Sequence, residues 1–433
     1  MTTLTVAPAP IKETGTLIER AKKIPKLSQF DRAKLRVQTV DGLDTLTGHV
    51  AANTLPCSDV VLNVKRFSSL IHDEVRFVSD LQFVIDERQI QLKLGDRTMK
   101  MSPAFFNTLS RFIVTNTHIK SLSGTFLRTL GNPNAERGLE TAKLLLEHLC
   151  AEFNKKFVTK DRQHKQIKLR MLKPDVSGVW PNNWAARAVL NSAFRDDISH
   201  LWLMEQLFEL CPTGNVSDLY FDGDLLTGAM LLPDICRVEQ ESEYGGGLYF
   251  FSGEVGNRRA GVMPFVFRVR NRGVSVFDSS WHVTHNAVSN IDSLRSKLKD
   301  FVHEQIPLVD IAIEKLLALK TTIFTTDSEY ALERLCIATA SFFRGMLANK
   351  DIRLMAVATA AERSALNTSE LSAFVVQNAF TRVARATDDH LRRIQLNMIA
   401  GKMVNLDWEK VAKVASGISD AQVCKVFKIK EEE

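Results

Sequence analysis

The stretch YGGGLYFFSGEVGNRRAGVMPFVFRVRNRGVSVF, Tyr244 to Phe277, decides the fold. It combines glycines, aromatics and the arginines Arg258, Arg259, Arg268, Arg270 and Arg272 with a single acid, Glu254. Within MPFVFRVR, strand alternation sends Met263, Phe265, Phe267 and Val269 to one face and Val266, Arg268 and Arg270 to the other. One face is therefore expected to be hydrophobic and the other cationic near its end. Gly256-Asn257 and Asn271-Arg272-Gly273 carry turn chemistry on either side. The pattern predicts three short strands joined by tight turns: an antiparallel β-meander.

Upstream, the period-two and β-branched runs LRVQTVD, DVVLNVKRF and QFVIDERQIQLKL predict strands, and Gly95-Asp96 predicts a turn before TMKM. Ser102-Pro103 is a helix start, and Phe105, Leu109, Phe112 and Ile113 are spaced for one buried face. A helix is predicted over about 136–156, then a basic loop entering the strand IKLRML. AARAVLNS predicts a strand, 201–210 a helix, and VSDLYFD with LTGAMLLPD a hairpin about Asp222-Gly223-Asp224.

Downstream the pattern turns helical: 289–322 with a kink at Pro307, 328–348 behind a Thr326/Glu329 capping box, then 351–364, 369–400, 406–415 and 420–429. The predicted class is α+β, an antiparallel β-meander packed on helices and followed by an all-helical C-terminal part. The implied division is a basic arm over 1–34, an α+β core over 35–290 and a helical region over 291–433.

The 433 residues, 45% hydrophobic and 24% charged, suit a folded chain with ample core. Six cysteines lie far apart without a CxxC pair, as in a reducing cytoplasm. The N-terminus has no signal-peptide pattern, and no uncharged apolar run reaches the length of a membrane span. The expectation is a cytoplasmic protein with no membrane partner. Net charge is only +6, so local clusters matter more than the total. Lys and Arg outnumber acids over 12–37 and 151–175.

The order of motifs resembles that of a phage- and plasmid-borne protein family of unknown function. LNSAFRDDISH resembles the family's "flSdrYr-x-iDn" segment, with Phe194 in place of tyrosine. GGGLYFFSGEVGNRRAGVMPFVFRVRNRGV resembles its "G-x-x-x-x-NSE-x-G" segment, with Phe251 for asparagine and Gly253 inserted. The resemblance covers roughly residues 89–290 and implies a mobile-element origin, hence the host cytoplasm. The family brings no catalytic residues to carry over.

Reaction chemistry finds little footing. No phosphate-binding P-loop string is present, and the glycines of GGG and SGEVG do not fit a dinucleotide fingerprint. His282 and His285 would need metal ligands from far away. No nucleophile elbow is present, and no cysteine has a flanking cationic motif. Neither a cofactor nor a resident metal is expected.

Binding is the reading that survives. Arg258, Arg259, Arg268, Arg270 and Arg272 on the meander are expected to track a phosphate backbone, extended by Lys165, Lys168 and Arg170 on a strand of the same sheet. Tyr249 and Phe250 offer rings for base stacking. The resulting expectation is a non-catalytic single-stranded nucleic-acid-binding protein, with strand annealing as a homo-oligomer in phage or plasmid recombination as its extension, by fold-level analogy with phage annealing proteins. The alternative is an assembly component of the mobile element that docks through Leu371, Phe374, Val375, Ala379 and Phe380. A third reading is a metal-dependent nuclease using Asp196, Asp222 and Asp224.

Overall fold

The computed structural model describes residues 45–429 apart from 87–88, 103, 107, 110–111, 114–135, 162–165, 191–197, 222, 240–241, 254–258, 278–279, 285–289, 326–329 and 344. The 1–34 arm, the strand expected at LRVQTVD, Lys165, Asp196, Asp222, the Gly256-Asn257 turn, Arg258, His285 and the Thr326/Glu329 box lie outside the described residues.

Helix α1 (Leu46–Asn53), strand β1 (Leu55–Pro56) and helix α2 (Cys57–Leu70) come first. Strands β2 (Ile71–Phe77), β3 (Gln82–Asp86), β4 (Gln89–Leu94) and β5 (Arg97–Met101) follow. Helix α3 (Glu136–Asp161) leads to β6 (Gln166–Leu172) and β7 (Ala185–Leu190). Helix α4 (His200–Leu210) leads to the hairpin β8 (Asn215–Phe221) and β9 (Leu225–Glu239). The meander strands are β10 (Ser242–Gly253), β11 (Arg259–Arg268) and β12 (Gly273–Val276), with β13 (Trp281–Thr284) after them. The remainder is α5 (Ile291–Ala318), β14 (Ile323–Phe324), α6 (Ala331–Ser341), α7 (Asn349–Ala365), β15 (Leu371–Ser372), α8 (Ala373–Arg385), α9 (His390–Val404), α10 (Trp408–Ser416) and α11 (Asp420–Phe427). The fold is α+β with a helical C-terminal region, interrupted only by the two-residue pairing of β14 with β15 among the described residues.

Two sheets organise the chain. The meander sheet runs β1-β8-β9-β10-β11-β12, and β13 also pairs with β11. The other sheet runs β2-β6-β7-β5-β4-β3, antiparallel except between β5 and β7. Its core gathers Phe105, Leu109, Phe112 and Ile113 with Leu146, Leu149 and Phe153 of α3. Those first four residues are the face read from the sequence behind Ser102, whose hydroxyl accepts from the Phe105 amide at 3.1 Å.

The meander sheet is buried on both faces. Ala260, Val262 and Val266 of β11 join Leu298 and Val302 of α5 on one side. Met263, Phe265 and Phe267 meet Leu46 and Val50 of α1 and Ile394 and Met398 of α9 on the other. The alternation read from MPFVFRVR is therefore present, but the face expected to be open and cationic is covered by helices.

Two segments differ from expectation. DVVLNVKRF is helical, within α2: Cys57, Val60, Val64 and Phe67 repeat at helical spacing, and that stripe enters the core beside Leu203, Met204 and Leu207 of α4. Burial of the stripe outweighs the strand preference of valine. The helix expected over 369–400 is instead β15, α8 and α9, with a break over 386–389. Ser372 caps α8 by accepting from the Val375 amide at 3.3 Å.

Candidate functional site

The β11–β12 turn is locked to α8. Asn271 Oδ1 accepts from the Gly273 amide at 2.9 Å, and Asn271 Nδ2 donates to Thr381 Oγ1 at 3.2 Å. A Cβ on Gly273 would sit 2.3 Å from that same threonine oxygen, so the turn needs glycine there. Deeper, Gln377 donates to Ser275 Oγ at 2.7 Å and to the Ala400 carbonyl at 3.1 Å, tying β12, α8 and α9 together.

Arg268 lies below this turn and is 2% exposed. It donates to Glu362 of α7 at 2.5 Å, and Arg382 of α8 bonds the other carboxylate oxygen. Burial would raise the Glu362 pKa, but the two guanidiniums outweigh it and hold the carboxyl below its ordinary value of 4.5. The Arg268 guanidinium also stands 5.2 Å over the Phe374 ring. Arg268 is thus a structural ion and does not belong to an open cationic row.

The other expected binding residues separate. Arg170 is buried, and its Nε and Nη2 donate to the two oxygens of Asp73 at 2.9 and 2.7 Å. Lys168 faces the same carboxylate at 3.6 Å. Both lie on β6, in the other sheet, so they do not extend the meander surface. Tyr249 is 3% exposed and packs with Phe265, which removes its ring from base stacking. Burial, first of all, raises its pKa, while Thr227 and Asn397 bond its hydroxyl. Phe250 is buried as well. Arg259 is placed in β11 opposite Thr284, without a described side chain. Among the meander arginines whose side chains are described, only Arg270 and Arg272 reach the surface.

Arg270 is exposed and donates to the Ala365 carbonyl at the end of α7. Arg272 is half-buried, sits at φ 49°, and its side chain has no hydrogen bond or ion pair among the described residues. Sequence reasoning missed the groups that join it. Arg385, in the last turn of α8, donates to the Asn271 carbonyl at 3.2 Å. Its pKa is lowered by burial first and then by the charge of Arg272, with Arg382 and Arg393 adding and Asp218 opposing. Arg393 of α9 donates to the Thr387 carbonyl through Nε at 3.2 Å and Nη2 at 2.9 Å. The ring of His49 of α1 lies 4.6 Å from that of Phe267, tilted against it by 36°, and neither ring nitrogen has a partner among the described residues. Burial, then Arg272 and Arg385, lowers its pKa to about 4, so the ring is neutral near pH 7.

Asp218 stands on β8 at φ 49°, where a register shift lies between Ser217 and Tyr220. Two of the four non-glycine residues with positive φ among the described residues therefore belong to one charged cluster, a placement typical of sites held under constraint. The sequence signal was the Arg382-x-x-Arg385 pair ahead of Asp388-Asp389, hidden when that span reads as a continuous helix.

Other candidates are occupied or buried. Asp224 bonds Arg187. The expected docking residues Leu371, Phe374, Val375, Ala379 and Phe380 are core side chains, because α8 is covered on nearly every side. Burial pushes the Cys57 and Cys150 thiols up to about 12 and Cys211 to about 11, far from the reactive range. No His/Cys/Asp/Glu group of three that could hold a metal is present among the described residues. No helix among them is long and apolar enough to cross a membrane. No protein-family model matches the chain, and no curated protein or solved structure is significantly similar to it.

Proposed function

We propose that the protein binds single-stranded nucleic acid without covalent chemistry, through the cationic surface around the β11–β12 turn: Arg270, Arg272, Arg385 and Arg393. The observation that carries this reading is the convergence of Arg272 and Arg385. The fold holds Arg272 in a left-handed conformation, at a cost of order 1 kcal/mol, while the Arg385 guanidinium, of like charge, donates to the carbonyl of the preceding residue, Asn271, and is repelled by Arg272. A polyanion would relieve that repulsion. The turn is also rigid, keyed to α8 by Asn271 and underpinned by Arg268, Glu362 and Arg382. In this reading the protein serves a phage or plasmid in its host's cytoplasm, and strand annealing as a homo-oligomer is its extension.

Fluorescence anisotropy of a labelled single strand, titrated over a range of salt, tests it. Binding should weaken with salt, and Arg272→Gln with Arg385→Gln should each reduce the log–log slope by about 0.7. No affinity at low salt would overturn the proposal.

A further inference from the structure

We propose that the open edge of strand β2 is a dimerisation surface, where a second copy of this chain pairs antiparallel about a two-fold axis through Val75. The inference goes beyond the strand-binding reading and does not depend on it, since β2 lies in the other sheet from the cationic turn. The occupant is an identical chain because the charges along β2 complement those of the same strand run in reverse.

β2 ends its sheet, and its ladder to β6 runs without a break from Ile71 to Phe77. Successive residues of a strand turn their backbone groups to opposite edges. The Leu70 carbonyl accepts from the Lys173 amide at 2.8 Å, which sets residue 70, and with it 72, 74 and 76, toward β6. The odd residues then turn outward, and two bonds agree: the Ile71 amide donates to the Ser68 carbonyl, and the Phe77 amide to Asp80 Oδ2 at 3.3 Å. The N–H and C=O of Asp73 and Val75 therefore face away from β6, with no strand beside them among the described residues. The Val75 side chain is 41% exposed at the same point. Such a row of unpaired backbone groups is a template for another strand.

Centred on Val75, the pairing lets the Val75 amide of each chain donate to the Val75 carbonyl of the other, and the Asp73 amide to the Phe77 carbonyl. Glu74 then stands opposite Arg76 of the partner subunit, at the non-hydrogen-bonded positions where cross-strand side chains come closest. Arg97 holds one Glu74 oxygen at 2.7 Å, and Arg76, with a side chain 42% exposed, bonds the other within its own chain. Dimerisation lets Arg76 turn to the partner's Glu74 without leaving either carboxylate bare. Centring on Glu74 instead would set two carboxylates face to face, and centring on Arg76 would oppose two guanidiniums. The charges thus select one register. Strand β3, at the other end of the sheet, carries Asp86 as its single charge, so no two-fold pairing there matches unlike charges. An edge contact of this length is small, and the dimer belongs to the weak, concentration-dependent class.

The test is analytical ultracentrifugation of the full chain, free of nucleic acid, over a range of concentration. A reversible dimer is expected. Val75→Pro removes the outward amide, which the β2–β6 ladder does not use, and should weaken dimerisation by about tenfold or more. Arg76→Glu places like charges across the axis and should weaken it similarly. Thermal melting of both variants separates loss of the contact from loss of the fold. Val75→Cys adds a reading without a disruptive change: two thiols on the axis should cross-link the chains under mild oxidation, above the background of the parent with its exposed Cys236. Leu144→Cys, at an exposed position of α3, should not. A monomer at every concentration, or a dimer that both folded variants leave unchanged, overturns the surface. Cross-linking of Leu144→Cys as fast as Val75→Cys overturns it too. None of these outcomes bears on affinity for a single strand, so the two proposals fail separately.

Discussion

Arg268 and Glu362, 94 residues apart in sequence, form an ion pair in which the two side chains are only 2% and 1% exposed. The pair joins the meander to the helical region at the point where β11 ends. Charges so deeply buried are tolerated only with a partner, and Glu362 serves two guanidiniums at once.

Glu362→Gln should therefore be costly, since it leaves Arg268 and Arg382 buried without a counter-charge. A loss of about 3–5 kcal/mol is expected from urea midpoints. Arg268→Met should cost less, because Arg382 still neutralises the carboxylate. The pH dependence follows from the sign of the shift. Glu362 lies below its ordinary 4.5, so its contribution is complete above that value and disappears as pH falls through the folded pKa. A Gln variant as stable as the parent at pH 7 would refute this account.

His49 predicts a second pH effect at a different place. Its folded pKa of about 4 lies below the ordinary 6.5, so the unfolded chain takes up a proton that the folded chain refuses. Stability should fall as pH drops from about 6.5 to 4, by about 3 kcal/mol in total. His49→Phe keeps a ring against Phe267 and removes the titration. Its stability should change less over that window than the parent's, read from urea midpoints at each pH, and identical pH profiles would dismiss His49 as the source.

The meander was legible in the sequence because alternation and turn chemistry agree over Met263–Gly273. Its surroundings were not. Arg268 reads as exposed until α7 brings Glu362 to it, and nothing local to either residue announces the other. Tyr249 and Arg170 fail for the same reason: an aromatic or a cation in a strand says nothing of what covers it. At Val60 and Val64 the period decides: the β-branched side chains favour a strand, but their four-residue spacing is that of a buried helical stripe. The Arg272–Arg385 cluster was half legible, since the turn was found but the end of α8 was hidden within a longer predicted helix.

Gly401 should be intolerant of any side chain. Helix α9 crosses β12 there, and a Cβ would lie 1.8 Å from the Val276 carbonyl oxygen, a backbone atom that cannot yield cheaply. Gly401→Ala should cost upwards of about 2 kcal/mol by overpacking. Gly345 is the contrast, with φ +78° and open space about it. Gly345→Ala should cost about 1 kcal/mol through the dihedral alone. Thermal melting of both variants tests the ordering, and a Gly401 variant no worse than the Gly345 variant would show that α9 does not press on β12.

Arg187 and Asp224 make the comparable joint between the two sheets. Arg187 belongs to β7, is buried, and stands 5.0 Å over Phe67 of α2 while bonding Asp224 and the Gly223 carbonyl at the β8–β9 turn. Asp224 is partly exposed, so the pair is worth less than a fully buried one. Asp224→Ala should cost about 2 kcal/mol, because the guanidinium loses its counter-charge while remaining packed on the ring. Arg187→Met removes the charge and keeps most of the packing, and it should be the milder change. Hydrogen exchange adds a local reading: Asp224→Ala should speed exchange at the start of β9 and leave β3 and β4 unchanged. Equal acceleration in both sheets would mean that the pair stabilises the chain as a whole and is not a joint between its parts.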